Sequence, residues 1–324
     1  MIIRAGILKP ISKTLFKEFL SSVLIIFSLS FVIFFLIYIS PGETLLQEYL
    51  QNLEENSTSA VSDGINNSDN TGTSINLPQA YISWLSASFS GNFGISNSNG
   101  MPVLEQVLDF TANTMYLTLS ALFISLLVTF PLIALNTKNV LPVLSRIINT
   151  GIRLLSFLPL FWLAYILIYI STTKLDYYPL AMDYDSITIS QFILPVILLC
   201  FGSGVLVEIF QQISNEIKRV LNEEYILCAR AKGASVFKHL FKEGIAFPLL
   251  NLISNRIAYL FGATIIIEQI FNWPGIGRLL WQATQDRDIP LLLGAVIISA
   301  IVIRTFHFIS RLIYVLINPR ASHE

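Results

Sequence analysis

The sequence predicts an all-α membrane protein of six transmembrane helices with both termini on the cytoplasmic side. Three observations carry this. Charged residues make up 13% of the chain, where a soluble domain carries about 25%. Uncharged or nearly uncharged apolar runs long enough to cross a bilayer recur six times along the 324 residues. Lys and Arg then gather in alternate connections between those runs. A mean hydropathy of +0.66 agrees, since roughly 20 apolar residues in a helix span about 30 Å of hydrocarbon.

Residues 1–18 form a cytoplasmic segment bearing Arg4, Lys9, Lys13 and Lys17. The first span, 19–40, lies between Glu18 and Glu43. It is too long for the apolar region of a signal peptide, and the SPGET that follows is no small-residue cleavage site, so it reads as a retained helix. Residues 41–110 form an extracytoplasmic loop, with no Lys or Arg from 41 to 108. Within it the insert 51–76 is rich in Ser, Asn, Asp, Thr and Gly, too polar to bury a core, and is expected to be a mobile loop. A glycosylation-like triplet at Asn56 inside it is read as coincidence.

The membrane core, 111–320, holds the other five spans at about 111–136, 152–173, 189–213, 247–271 and 289–317. Asp109 and Lys138 bound the second, Arg153 and Lys174 the third, and Asp185 and Glu208 flank the apolar part of the fourth. Arg256 interrupts the fifth; Arg304, His307 and Arg311 interrupt the sixth. Basic residues set the orientation. Lys138, Arg146 and Arg153 lie between spans two and three, six Lys and Arg between four and five, and Arg311 and Arg320 at the end. The remaining outer connections carry only Lys174, Arg278 and Arg287.

Several chemistries are disfavoured. A net charge of −1 draws no nucleic acid. Cys200 and Cys228 sit in unlike surroundings and make neither a disulfide nor a metal framework, and His239, His307 and His323 are far apart. HExxH, GxSxG and the phosphate-binding GxxxxGK[ST] are all missing, so no catalytic, cofactor or metal site is expected and ATP is not hydrolysed by a P-loop of this chain.

The cytoplasmic loop 214–246 is charged yet helically patterned. Tyr225, Leu227, Cys228 and Ala231 are spaced as on one face of a short helix. Small residues through Gly233 and Ala234 permit a turn, and Val236, Leu240 and Phe241 mark a second helix before Pro248 opens span five. Two short helices joined at a glycine make a knob able to fit a partner's groove; an ordinary solvated loop is the alternative.

The residues Glu223, Glu224, Tyr225, Ile226, Ala229, Arg230, Ala231, Lys232, Gly233 and Pro248 resemble the coupling, or EAA, loop of ABC importer permeases, and more narrowly the oligopeptide/dipeptide permease family. A second block fits that family: Glu268, Ile270, Phe271, Trp273, Pro274, Gly275, Ile276, Gly277, Arg278, Leu279 and Leu280. So do Arg287-Asp288-Ile289-Pro290, the tail Asn318-Pro319-Arg320, Pro41-Gly42, and Gly91, Phe93, Gly94, Ser96, Pro102 and Val103. The run from Asn92 to Val107 looks most like the Sap-type branch, associated with antimicrobial peptides and polyamines. Departures lie at Glu208, Gln211 and Gln212, where the family carries basic residues, at Glu43-Thr44, in the glycine-free end of span two, and at His307 and Arg311.

The resemblance implies a type I importer permease of the bacterial inner membrane. It implies partners too: a second homologous permease, two ABC ATPase subunits and an extracytoplasmic solute-binding protein. Peptides are the implied solute; a polyamine, nickel or haem, or movement outward, is the alternative. Residues 223–233 with Pro248 would couple ATPase motion to the spans. The Glu268, Phe271, Trp273, Pro274, Gly275 and Gly277 block is either an outer gate or a tucked structural turn. Charges at membrane depth face protein or water, so Glu208 and Arg256 read as an ion pair or as solute contacts, with Arg304 and His307 as alternative partners. An ion-driven secondary transporter would instead show inverted halves with broken helices, and a membrane scaffold would transport nothing.

Overall fold

The computed structural model describes residues 2–39, 49–50, 77–138, 142–180, 189–233 and 235–317. The Ser/Asn-rich insert 51–76, Pro41-Gly42 and the Asn318-Pro319-Arg320 tail lie outside the described residues. Apart from an isolated bridge between Ile95 and Pro102, the described residues form helices and turns. The helices are α1 Ile2–Ile39, α2 Leu77–Phe89, α3 Val103–Lys138, α4 Pro142–Phe157, α5 Leu160–Lys174, α6 Ile189–Gly202 and α7 Val205–Leu221, then α8 Glu224–Ala231, α9 Phe237–His239, a π-helical stretch Leu240–Ala246, α10 Phe247–Ile270, α11 Ile276–Gln285 and α12 Ile289–Ile317.

Three of these are long and apolar enough to cross a membrane: Leu15–Ile39, Val103–Leu135 and Ile289–Leu316. Two bent pairs raise the number to five, Gln191–Gly202 with Val205–Leu221 at 46° and Glu243–Ile253 with Asn255–Ile270 at 43°. α10 and α12 cover the residues of expected spans five and six, and the second bent pair breaks the former between Ile253 and Asn255. Expected span three does not survive as one helix. It breaks at Pro159, leaving α4, which covers most of what the sequence presents as a loop, and the short apolar α5, Leu160–Lys174. The residue before a proline is pushed out of helical geometry, which is why the break falls at Leu158.

Span four is also two helices. Gly204 takes φ +81°, a left-handed conformation that a Cβ disfavours. The hydroxyl of Ser203 donates to the carbonyl of Leu199 and accepts, at 3.4 Å, from the N–H of Val205. The chain is thereby bent between α6 and α7. Glu208 in the first turn of α7 and Lys218 and Arg219 in its last complement the helix dipole, so the helix runs on to Leu221, beyond the expected end at 213.

The chain divides into two compact units. The larger holds Asn113–Gly277 with the two chain ends, Met1–Leu20 and Ile303–Glu324. Its core has two clusters. In one, Leu122, Leu132 and Ile133 of α3 pack with Leu206, Ile209, Ile213 and Ile217 of α7 and Leu252, Ile257 and Leu260 of α10. In the other, Leu117 and Ala121 of α3 meet Ala164 of α5, Val196 and Leu199 of α6, and Ile267 and Phe271. Lipid tails are as apolar as leucine, so packing rather than escape from water must hold such helices, and small residues let backbones approach. Gly202 is one: an added Cβ would stand 2.8 Å from Leu160 of α5.

The smaller unit, Ser21–Ala112 and Arg278–Val302, is organised by aromatics. Phe31 and Phe34 of α1 set their rings edge-on to Tyr81 of α2, at 5.4 and 5.5 Å. Ser30 and the Tyr81 hydroxyl are hydrogen-bonded at 2.7 Å. Gly294 of α12 admits Val103, whose Cγ1 would lie 2.5 Å from an added Cβ. Much of α1, including Phe19, Leu24, Val32 and Leu36, is exposed. A continuous apolar surface of this kind suits hydrocarbon.

Candidate functional site

The loop between α7 and α10 builds a short exposed helix, α8. Glu224 in the first turn of α8 and Arg230 in the last again complement its dipole. Beyond the helix, which ends at Ala231, Gly233 takes a φ of +68° that allows the chain to reverse; among the described residues other than its chain neighbours, no atom lies within 4 Å of where its Cβ would be. Glu223, Glu224, Tyr225, Arg230, Ala231 and Lys232 are exposed, Ala229 is half-buried, and Ile226 alone is fully buried. The expected apolar face is exposed, with Leu227 at 55% and Cys228 also exposed, while Ile226 turns inward. Helical spacing over eight residues cannot tell which side is covered; the turn after Leu221 decides that.

The second expected helix is corrected as well. α9, the π stretch and α10 run as one path from Phe237 to Ile270, so Pro248 lies inside a continuous helical path. A proline at 248 would clash with the carbonyl of Gly244 in a regular helix. The π winding ends just before it, at Ala246. Phe237 and Phe241 stay exposed and stack at 6.3 Å. The Tyr225 hydroxyl donates to Glu243, and the other Glu243 oxygen lies 3.4 Å from Nδ1 of His239. Loss of hydration, and then the Glu243 carboxylate, pushes the pKa of the Tyr225 hydroxyl up to about 12.

Glu208 and Arg256 meet. Arg256 Nη2 stands 2.5 Å from Glu208 Oε2, with the side chains 25% and 45% exposed. Among the described residues, Glu208 Oε2 and Arg256 Nε make no hydrogen bond, so the contact is an ion pair. The guanidinium also lies 5.6 Å from the Tyr259 ring centre, and the Tyr259 hydroxyl donates to the Ser203 carbonyl at the α6–α7 bend. Gln212 and Asn215 are exposed on the same helix, whose apolar side faces the core. Arg304 and His307 are half-buried on α12.

The Trp273–Gly277 turn is tucked under its neighbours, and all five residues are buried. Glu268, with no exposed surface, accepts from the Thr114 hydroxyl at 2.6 Å and from the Gly277 N–H at 2.7 Å. Thr114 Oγ1 accepts from the Ile276 N–H at 2.8 Å. Asn113 Nδ2 donates to the Pro274 carbonyl, and the Trp273 indole donates to the Asn113 carbonyl, at 2.9 and 3.3 Å. Phe271, fully buried, closes the end of α10. Asn113 and Thr114 escaped the sequence reading. The signal for Thr114 is a row of hydroxyls, Thr111, Thr114, Thr118, Ser125 and Thr129, buried along one side of α3.

In the smaller unit, Asp288 caps α12, its Oδ1 accepting the Leu291 N–H at 3.1 Å. Oδ2 accepts the hydroxyls of Ser96, at 2.5 Å, and Ser98, at 2.9 Å. One buried carboxylate thus ties the Gly91–Pro102 loop to the start of the last helix. The Tyr49 hydroxyl donates to the Phe93 carbonyl in the same loop at 3.0 Å.

Comparison with known proteins converges on one group. The family model of the binding-protein-dependent transport system inner membrane component matches residues 133–323. The chain is 29% identical over 266 residues to the oligopeptide transport system permease protein AppB of Bacillus subtilis, covering 77% of this chain and 82% of that one. It is 25% identical over 313 residues to the nickel import system permease protein NikB of Staphylococcus aureus, covering 96% and 92%.

Proposed function

The chain belongs to the family of inner membrane components of binding-protein-dependent transport systems, and from that premise we propose that it is the peptide-translocating permease of an ABC importer, driven through α8. It is a membrane-embedded permease subunit of an ABC transporter. Six spans with cytoplasmic termini, a second homologous permease, two ATPase subunits and an extracytoplasmic binding protein complete the reading. The carrying observation is α8 itself: an exposed eight-residue helix, ended by a left-handed glycine, whose Tyr225 hydroxyl donates to Glu243 on the helical path that leads to Pro248 and Arg256. Such a helix gives an ATPase a handle on a span. The Trp273–Gly277 turn, pinned to α3 and α10, would hold the opposite end of that span, and the polar side of α7 around Glu208 would face solute or the second permease, since lipid disfavours it.

Peptide is favoured because AppB, named for oligopeptide transport, is the more similar over the matched residues. Nickel is the second reading, favoured by the nearly full-length match to NikB. The test is purification through a tag on this chain, identification of the copurifying subunits, and ATP-driven uptake into proteoliposomes of a mixed peptide library against nickel ions. Peptide uptake is expected; nickel uptake alone would replace the peptide reading, and no ATPase partner would remove the importer reading.

A further inference from the structure

The exposed helix α8 has little to hold it. Only Ile226 is buried, and its C-terminal link is the Gly233 turn, with open space around it. A lever attached this way would swing at the glycine and absorb a push instead of delivering it. The first turn of α8, however, has a second attachment.

We propose that Glu243 is the positioning residue that latches the coupling helix to the base of span five, through the Tyr225 hydroxyl on one carboxylate oxygen and the His239 ring on the other. This rests on the coupling role given to α8 above. Three observations carry it. The Tyr225 and His239 rings stand edge to face at 5.7 Å, so Glu243 closes a three-residue cluster joining two separate elements. Glu243 lies in the π stretch, a winding that recurs at functional positions in helices. Gly244, beside it, is wedged on α7: an added Cβ would lie 3.3 Å from Ile217 Cγ1 and 3.4 Å from its Cα. The residue that receives the latch is therefore backed by another helix. A displacement of α8 passes through Tyr225 into the π stretch and along a helical path, bent by 43° between Ile253 and Asn255, toward Arg256 and Glu268. The other charges near Tyr225 are Glu223 and Arg219, and Arg219 is engaged by Glu216 at 2.8 Å.

The experiment uses the complete chain in lipid nanodiscs, with and without its copurified ATPase, and follows amide hydrogen exchange over residues 224–231. Tyr225→Phe and Glu243→Ala should each speed exchange there about fivefold, the scale of one hydrogen bond to a charged group at a partly exposed site. The double variant should add nothing further, Glu243→Gln, which keeps an acceptor, should stay near wild type, and residues 276–285 should be unaffected. Unchanged exchange in both single variants, or independent multiplying effects, overturns the latch while leaving the coupling reading intact. If the ATPase does not protect 224–231 in the wild-type complex, the coupling reading falls and the latch falls with it.

Discussion

Inside an apolar helix a carboxylate has to be met by donors, and Glu268 is met by a hydroxyl from α3 and a backbone N–H from the turn it supports. The glycines of that turn follow from the same contact. A Cβ at Gly275 would overlap the Glu268 carboxylate, whereas one at Gly277 would lie 2.7 Å from the Cα of Ile265. Side chains can yield and backbone cannot. Gly275→Ala should therefore be destabilising by about 1–3 kcal/mol in the wild-type background and much less so in Glu268→Ala. Gly277→Ala should be costly in both. Thermal unfolding in detergent reads the difference, and equal costs for Gly275→Ala in the two backgrounds would contradict the geometry. Gly233 poses the opposite case, conformation without crowding. Valine at φ +68° costs about 1–3 kcal/mol in backbone strain, while asparagine tolerates that region. Gly233→Val should insert at normal abundance yet uncouple ATP hydrolysis from transport, and Gly233→Asn should be milder; normal transport by the valine variant would count against a coupling role.

At the scale of elements, the breaks matter as much as the helices. Pro159, Gly204 and the 43° bend between Ile253 and Asn255 divide what hydropathy presents as uniform spans. The bend at Gly204 places Glu208 in the first turn of α7, against Arg256 of α10. Both side chains keep some exposure, so their attraction is partly screened and worth roughly 0.5–1 kcal/mol. Glu208→Gln and Arg256→Gln should each lower the folded yield, and the double variant should recover part of the loss, giving a coupling of that size in a double-mutant cycle. Strict additivity would mean that each charge serves something else, such as the solute. A break in a span is hard to read in advance because a proline or glycine inside a membrane helix is often accommodated by its neighbours; whether the helix bends depends on the facing surface.

For the whole molecule, charge bias predicts the orientation. Single cysteines in a background lacking Cys200 and Cys228 should react with an impermeant maleimide from outside when placed in 51–76. Those in 214–245 should react only after the membrane is opened, and labelling of that set in intact cells would invert the topology. The sequence by itself determined the membrane class, the predominance of helix and the motifs that mark the family, because hydropathy, charge bias and turn chemistry are local properties of the chain. Packing decided the rest. Ile226 rather than Leu227 or Cys228 turns inward, Thr114 meets Glu268 across 154 positions of sequence, and Tyr225 reaches Glu243 in another element. Each of these depends on which surface faces which. In a chain surrounded by lipid the apolar pattern alone does not state that, because a residue buried against protein and one turned to hydrocarbon can be equally apolar.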